Sequence, residues 1–342
     1  MTTTTYDTPY KYGQAVLAPS GREGAFDYRA VDIPFVFAHR GRFYLTYVGY
    51  DDDGYQTGLA VSDDLLHWHP LGVILARSAE SRWDQVGQAG TWILKEHNEL
   101  DQPATLKKVD GKYWMVYHAY PKRGYENGPA EMGLAWCDDD RLLHWHRLDE
   151  PIFSWKDGAA WERGGLYKGC LIEHQGTFYL FYNAKNEASQ GWHEQIGVAT
   201  SHDLRHWQRC EHNPVVRVSD QGWDSQFSSD PWVFSDQGRW VMGYFGYDLH
   251  HAQDGLAFSD DLWQWTKAGP PVLRYGNPGD IDDIHAHKPA FIRHQGVLYH
   301  FYCAARTFQA GDPAINYGVE FRSISVARSI PWSEGSAKHA PC

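Results

Sequence analysis

Three aspartates and one histidine stand in related settings along this chain: Asp32-Ile-Pro34, Asp101-Gln-Pro103, Asp230-Pro231 and His287-Lys-Pro289. Carboxyl and imidazole groups exchange protons near neutral pH, so a set of them facing one ligand can perform general acid–base chemistry. A single Asp before Pro is a plain turn signal. Recurrence at equivalent positions of a repeat is different, because titratable groups gathered in one cleft mark a functional site.

A repeated cassette positions these residues. Each copy has an apolar strand, a Gly turn and an aromatic strand, which reads as a β-hairpin. Copy one runs from Asp32 through Gly41 to Tyr47, copy two from Asp101 through Gly111 to Tyr117, and copy three from Gly169 through Gly176 to Tyr182. Copy four has Asp230-Pro231, Gly238 and Trp240 to Tyr244, and copy five has His287-Lys-Pro289, Gly296 and Leu298 to Tyr302. Third strands follow at Gly58, Gly133, Gly197 and Gly255, and lead into turns such as Ser62-Asp-Asp-Leu-Leu-His-Trp68 and Ser201-His-Asp-Leu-Arg-His-Trp207. A fourth strand comes next, except in copy five, where the N-terminal run Gln14-Ala-Val-Leu-Ala-Pro resembles the missing piece. The expectation is an all-β fold, one five-bladed β-propeller over residues 1–342. Its blades fall at about 30–77, 100–155, 166–217, 229–274 and 285–330, and an N-terminal strand at 13–18 closes the ring and protects the free edge.

Propeller geometry then selects the candidates. The position two before the repeat Pro, at the mouth of the funnel, holds Asp32, Asp101, Tyr167, Ser229 and His287, with Asp230 one step further on. Loops after the second strands open on the same mouth. They carry Glu126, Asn183, Glu187 and Arg306 among other polar and aromatic groups, as a sugar site requires. His285 and His287 share one face of an extended segment. Lys168 and Lys288 are placed to bind a carboxylate or phosphate on a ligand. Tyr167, Lys168, Asn183, Glu187, His285, Lys288 and Arg306 are therefore the candidate binding residues.

The formal charge of −12 disfavours nucleic acid or an anionic membrane as partner. No apolar run reaches transmembrane length, and the first residues lack a signal-peptide pattern, so the expected location is cytoplasmic. Some of the 16 Trp are accounted for by the repeated turns. The five cysteines, Cys137, Cys170, Cys210, Cys303 and Cys342, are odd in number and show no CxxC spacing. Buried free thiols are expected rather than disulfides or a zinc site. The stretch from Ser333 is polar and expected to be loose. Oligomeric state is left open.

The cassette, the Ser-Asp-Leu-x-x-Trp turns and the Asp of the first inner strand resemble those of five-bladed propeller glycosidases, namely glycoside hydrolase family 43 and its invertase-like relatives. The resemblance implies a retaining or inverting glycosidase with carboxylates at the funnel base, and the deep funnel points to an exo-acting, inverting enzyme that cleaves a terminal bond of a short oligosaccharide. The resemblance makes Asp32 the general base and Asp101 the group that orients the acid and tunes its pKa; Asp230, from its place on the ring, is expected to assist Asp101. The resemblance also implies a general acid Glu in blade three, where this chain has Leu166-Tyr-Lys-Gly169 instead. His287, Glu126, Glu162 and Glu187 are the replacement candidates. Trp161-Glu162 parallels Trp83-Asp84 and Trp223-Asp224, which favours a structural role for Glu162. His287 has three readings: a proton donor held charged by a carboxylate, a residue facing an axial Ca²⁺ as in the arabinanase branch, or a structural histidine. No cofactor beyond that possible Ca²⁺ is expected. Two alternatives stay open: a phosphorylase using Lys168, Lys288 and Arg306 to hold phosphate, and a sugar-binding propeller without catalysis.

Overall fold

The computed structural model describes residues 6–78, 80, 82–187, 191–313 and 319–332; Cys342 and the stretch from Ser333 lie outside them. The fold is nearly all-β. After a short β1 (Tyr10–Lys11) come five antiparallel meanders. Unit one has β2 (Ala30–His39), β3 (Arg42–Tyr50), β4 (Tyr55–Ser62) and β5 (His69–Leu75). Unit two has β6 (Gly87–Ile93), β7 (Lys108–Val109), β8 (Lys112–Tyr120), β9 (Glu131–Cys137) and β10 (His146–Arg147). Unit three has β11 (Gly165–His174), β12 (Thr177–Lys185), β13 (Glu194–Ser201) and β14 (Gln208–Arg209). Unit four has β15 (Phe227–Asp236), β16 (Arg239–Tyr247), β17 (Ala252–Ser259) and β18 (Thr266–Lys267). Unit five has β19 (His285–His294), β20 (Val297–Thr307) and β21 (Glu320–Arg328). The N-terminal segment pairs with this unit: Tyr10 and Lys11 sit opposite Arg328 and Ala327, and Leu17 bridges Ile324.

The first strands pack on one another, β2 on β6, β6 on β11, β11 on β15, β15 on β19 and β19 on β2. Between them lie the rings of Phe35, Trp92 and Trp232, with the two indole centroids 4.6 Å apart and Phe35 4.9 Å and 5.4 Å from them. All three are fully buried, and truncating any one to Ala is worth about 3–5 kcal/mol.

The repeated turns owe their shape to local hydrogen bonds. The Ser62, Ser201 and Ser259 hydroxyls accept from backbone N–H groups two or three residues on. The Leu of each turn adopts a positive φ, 68° at Leu65, 61° at Leu142, 65° at Leu204 and 70° at Leu262. Each turn Trp then donates its indole N–H to that Leu carbonyl.

A second repeated device explains the Trp-carboxylate motif. Tyr117 donates to Asp84, Tyr182 to Glu162, Tyr244 to Asp224 and Tyr302 to Asp282, at 2.7–3.0 Å. Glu162 also takes Arg209 Nε at 2.6 Å. It is thus one copy of a buried structural pair, as its alignment with Asp84 and Asp224 suggests. The glycines of the third strands make room for these rings: a Cβ on Gly133 or Gly197 would fall within 3 Å of the Tyr117 or Tyr182 ring.

Two strand positions differ from the sequence reading: the N-terminal strand expected at 13–18 lies at Tyr10–Lys11, with only an isolated bridge at Leu17, and the first strand of unit two is displaced. The first strand of unit two starts at Gly87, not near residue 100. Its bulge carries Gly90-Thr91 and no Asp-Pro. Residues 94–107 form an insertion that reaches the far ends of two other first strands, β2 at Ala38 and β15 at Ser235. Among the described residues no helix is long and apolar enough to cross a membrane. The four described cysteines are free thiols.

Candidate active site

Every first strand carries a β-bulge near its start, between Asp32 and Phe35, Gly90 and Trp92, Tyr167 and Cys170, Ser229 and Trp232, and His287 and Ala290. A bulge bends the strand and re-aims a side chain. Four bulges contain a non-glycine residue at positive φ: Ile33 (50°), Lys168 (38°), Asp230 (54°) and Lys288 (67°). Such residues cost of order 1–3 kcal/mol each and cluster where function holds them. All four line one cavity of about 290 Å³ and form its buried floor.

Charges on the floor are mostly paired. Lys288 Nζ donates to Asp32 Oδ2 at 2.7 Å and lies 3.7 Å from Glu126 Oε1. Arg322 approaches the same Asp32 oxygen at 3.2 Å and binds Glu320 at 2.8 Å. Burial opposes the charge on Asp32, yet Lys288 and Arg322 outweigh it and hold the carboxyl well below the usual range. Burial likewise opposes the charge on Lys288, but Asp32 and Glu126 raise its pKa.

Lys168 and Asp230 differ. Lys168 Nζ and Asp230 Oδ2 are buried with no hydrogen-bond partner, as is Asn183 Oδ1, and all three residues line the cavity. Unpaired buried polar atoms are expensive, and these three offer hydrogen-bonding capacity that the protein itself does not use. Burial lowers the Lys168 pKa despite nearby Asp230. Burial pushes Asp230 up to about 6; Lys288 and Lys168 oppose this, and Glu194 and Asp32 add to it.

Two further carboxylates reach the cavity. Glu194 Oε2 accepts from Asn183 Nδ2 at 3.1 Å and Ser229 Oγ at 2.9 Å, while Oε1 accepts from Trp192 Nε1 at 3.3 Å and lies 3.5 Å from Lys185. Glu126 comes from unit two and accepts from the Tyr55 hydroxyl at 3.0 Å. The rim beside Glu194 is aromatic, with the exposed Trp192 5.0 Å from Phe227 and Phe227 5.0 Å from Tyr247.

The structure gathers many of the sequence candidates here. Tyr167, Lys168, Asn183, Asp230, His285, His287 and Lys288 all line the cavity, and Asp32 lies fully buried against Lys288. Three candidates are elsewhere. Asp101 is carried to the opposite end of the first strands by the 94–107 insertion; its side chain is 62% exposed and pairs with Arg293 at 2.5 Å. Arg306 is held by Asp312 at 2.6 Å and stacks on Phe321. Glu187 pairs with Arg163 at 3.5 Å on the outer side of its loop.

A protonated His287 does not fit its surroundings. Burial, Arg322 and Lys288 all lower its pKa. Its Nδ1 faces the Cys303 carbonyl at 3.2 Å, so that nitrogen carries the hydrogen and Nε2 is left as an acceptor. His285 accepts the Ala252 N–H on Nδ1 at 2.9 Å. The Ca²⁺ that the resemblance allows fares no better. Calcium takes six to eight oxygen ligands, whereas ammonium groups of Lys168 and Lys288 stand at the floor, and among the described residues no three His, Cys, Asp or Glu side chains are grouped to hold a metal.

Sequence reading missed Glu194, Trp192, Glu320 and Arg322. A signal existed: the third strand of a meander runs parallel to the first, so its start opens on the same mouth. Glu194 and Glu320 are the first residues of β13 and β21.

Residues 92–277, a little over half of the chain, match the family described as Glycosyl hydrolases family 32 N-terminal domain. The chain belongs to that family. The resemblance to propeller glycosidases read from the sequence thus holds. The family 32 chain is 27% identical over 179 residues to a sucrose-6-phosphate hydrolase of Zymomonas mobilis subsp. mobilis; the match covers 48% of this chain and spans 32% of that relative's length. Its fold is shared with BT0996, solved as an RGII complex, at 29% identity, TM-score 0.81, and 96% and 94% of the two chains. A thermostable family-43 glycoside hydrolase shares the fold at 17% identity and TM-score 0.62, over 91% and 93% of the chains.

Proposed function

We propose that this family 32 chain is a glycosidase that releases the terminal sugar of a short oligosaccharide by hydrolysis in the 290 Å³ cavity. The observation that carries this reading is Asp230, a buried carboxyl with a pKa near 6 whose Oδ2 lacks a partner and belongs to a cavity-lining side chain. A carboxyl of that kind keeps its proton up to about pH 6, well above the usual carboxylate range, and can donate it to a leaving oxygen. Glu126, held by the Tyr55 hydroxyl and the Lys288 ammonium, enters from unit two and acts as the partner that activates water. Glycosidases need such a pair of carboxyls with different protonation states. Lys168 and Asn183 bind hydroxyls of the sugar. Asp32 serves from beneath, fixing Lys288 and Arg322. Inversion is the proposed stereochemistry, since the cavity has room for a sugar ring with water beside it. The narrow, buried floor favours exo action.

Hydrolysis is preferred to phosphorolysis because, of the three cations offered for phosphate, Lys288 and Arg306 are already engaged and only Lys168 is left unpaired in the cavity. Lys288 faces Asp32 and Glu126, Lys185 faces Glu194, and Arg306 lies outside the cavity. We also infer that residues 1–342 form one domain, a five-bladed propeller whose last blade the N-terminal segment completes. The cyclic packing of the first strands and the pairing of Tyr10, Lys11 and Leu17 with β21 support this.

The test is product analysis on a panel of neutral aryl glycosides and oligosaccharides, with and without inorganic phosphate. Release of a free monosaccharide without phosphate is expected. A sugar phosphate as the product, or no turnover on any glycoside, would sink the reading.

A further inference from the structure

A hydroxyl has one hydrogen to donate. Ser229 Oγ lies 2.9 Å from Glu194 Oε2 and 3.2 Å from Asp230 Oδ1. With both carboxyls ionised, one of these contacts would set lone pairs against lone pairs inside a buried site. Both contacts become hydrogen bonds when one carboxyl keeps a proton. That proton then donates into Ser229 Oγ, and the serine hydrogen donates to the other carboxylate.

The surroundings decide which carboxyl holds it. Glu194 has three further donors or cations around it, Asn183 Nδ2, Trp192 Nε1 and Lys185 Nζ. The second oxygen of Asp230 has none. Asp230 is faced by Lys168 from β11, Lys288 from β19, Glu194 from β13 and Asp32 from β2, and it acts in turn on Asp254 of β17. The two cations favour its ionised form. Burial, Glu194 and Asp32 favour its neutral form.

We propose that Ser229 is a positioning residue that lets Glu194 and Asp230 hold one proton between them, with Asp230 as its resting place. This deepens the reading of Asp230 as the proton donor and rests on it. Atoms balance without a co-reactant. In the resting state Asp230 Oδ1–H donates to Ser229 Oγ, and Ser229 O–H donates to ionised Glu194. The carboxyl torsion of an Asp is soft, so the same proton can turn toward the cavity and pass to a leaving oxygen. Asp230 is then ionised and accepts the serine hydrogen, or takes a new proton from water.

Ser229→Ala removes the oxygen that accepts the shared proton. The neutral form of the pair loses two hydrogen bonds and the ionised form loses one. The alkaline limb of the kcat/KM profile is therefore expected to move to lower pH, by about one unit, the worth of roughly one buried hydrogen bond. Ser229→Thr restores the hydroxyl and should move the limb back. A serine that only fills space would lower the rate without moving the limb. Infrared difference spectra of the ligand-free protein give a readout that needs no turnover. A protonated-carboxyl component that titrates near pH 6 should be present in the native chain, be lost in Asp230→Asn, and titrate at lower pH in Ser229→Ala. A limb and a band unmoved in Ser229→Ala would overturn the proposal. A shared-proton band in a protein whose Asp230→Asn variant keeps full turnover would instead overturn the role of Asp230 as donor.

Discussion

Replacing Asp230 by Asn should make the protein more stable at neutral pH while leaving its stability in mild acid nearly unchanged. Asp230 is 5% exposed and stands among Lys168, Lys288, Glu194 and Asp32. Burial raises its pKa from 3.8 to about 6. The sign follows from proton counting. Between those values the folded chain keeps the proton and the unfolded chain releases it, so raising the pH favours unfolding. At 1.36 kcal/mol per unit, roughly two units amount to about 3 kcal/mol. That penalty is absent below about pH 4 and complete above about pH 7. Asn has nearly the same shape, tolerates the positive φ of 54° and cannot ionise, so the variant escapes the penalty. The assay is urea denaturation of both proteins at pH 4 and pH 7.5. The difference between variant and native chain cancels every other group that titrates alike in the two. A gain at pH 7.5 about 3 kcal/mol larger than that at pH 4 is expected. A difference that does not change with pH would refute the reasoning, because Asp230 would then titrate alike folded and unfolded.

Lys288→Met leaves Asp32 and Glu126 without their shared ammonium at a buried site. The loss should be about 3–5 kcal/mol by chemical denaturation, and a loss below about 1 kcal/mol, the size of an exposed pair, would count against the buried network. Asp101→Ala cuts an exposed ion pair at the opposite end of the first strands. It should change stability by no more than about 1 kcal/mol and leave kcat/KM within a few-fold, whereas a large fall in kcat would return Asp101 to the site.

Much of this architecture is legible in the sequence because it is written five times. Turn serines and tryptophans recur with a fixed offset that has a local hydrogen-bonding cause, and the buried Tyr–carboxylate pairs recur at 20 residues in three units and at 33 in unit two, where the 94–107 insertion intervenes. Asp101 shows where that method fails. The true first strand of unit two carries Gly90-Thr91 at its bulge, so it lacks the x-Pro mark of the neighbouring copies. The 94–107 insertion supplies an Asp-Gln-Pro turn of its own and imitates the missing mark. Glu194 escapes for a different reason. It lies far in sequence from any first-strand bulge, and only antiparallel pairing brings the start of the third strand to the same mouth. His287 does stand at the cavity where the repeat puts it, but its charge state depends on Arg322, thirty-five residues on in the sequence, which no local pattern couples to it. The raised pKa of Asp230 likewise depends on burial and on partners from four other strands.

The most direct test is turnover by Asp230→Asn and by Glu126→Gln on a neutral substrate of the native chain, with binding of the released sugar measured alongside. Each substitution should lower kcat by about 10²- to 10⁴-fold, the range for loss of a positioned acid or base, while the Kd of the sugar stays within a few-fold. Near-native kcat in both variants would contradict catalysis by these carboxyls in this cavity.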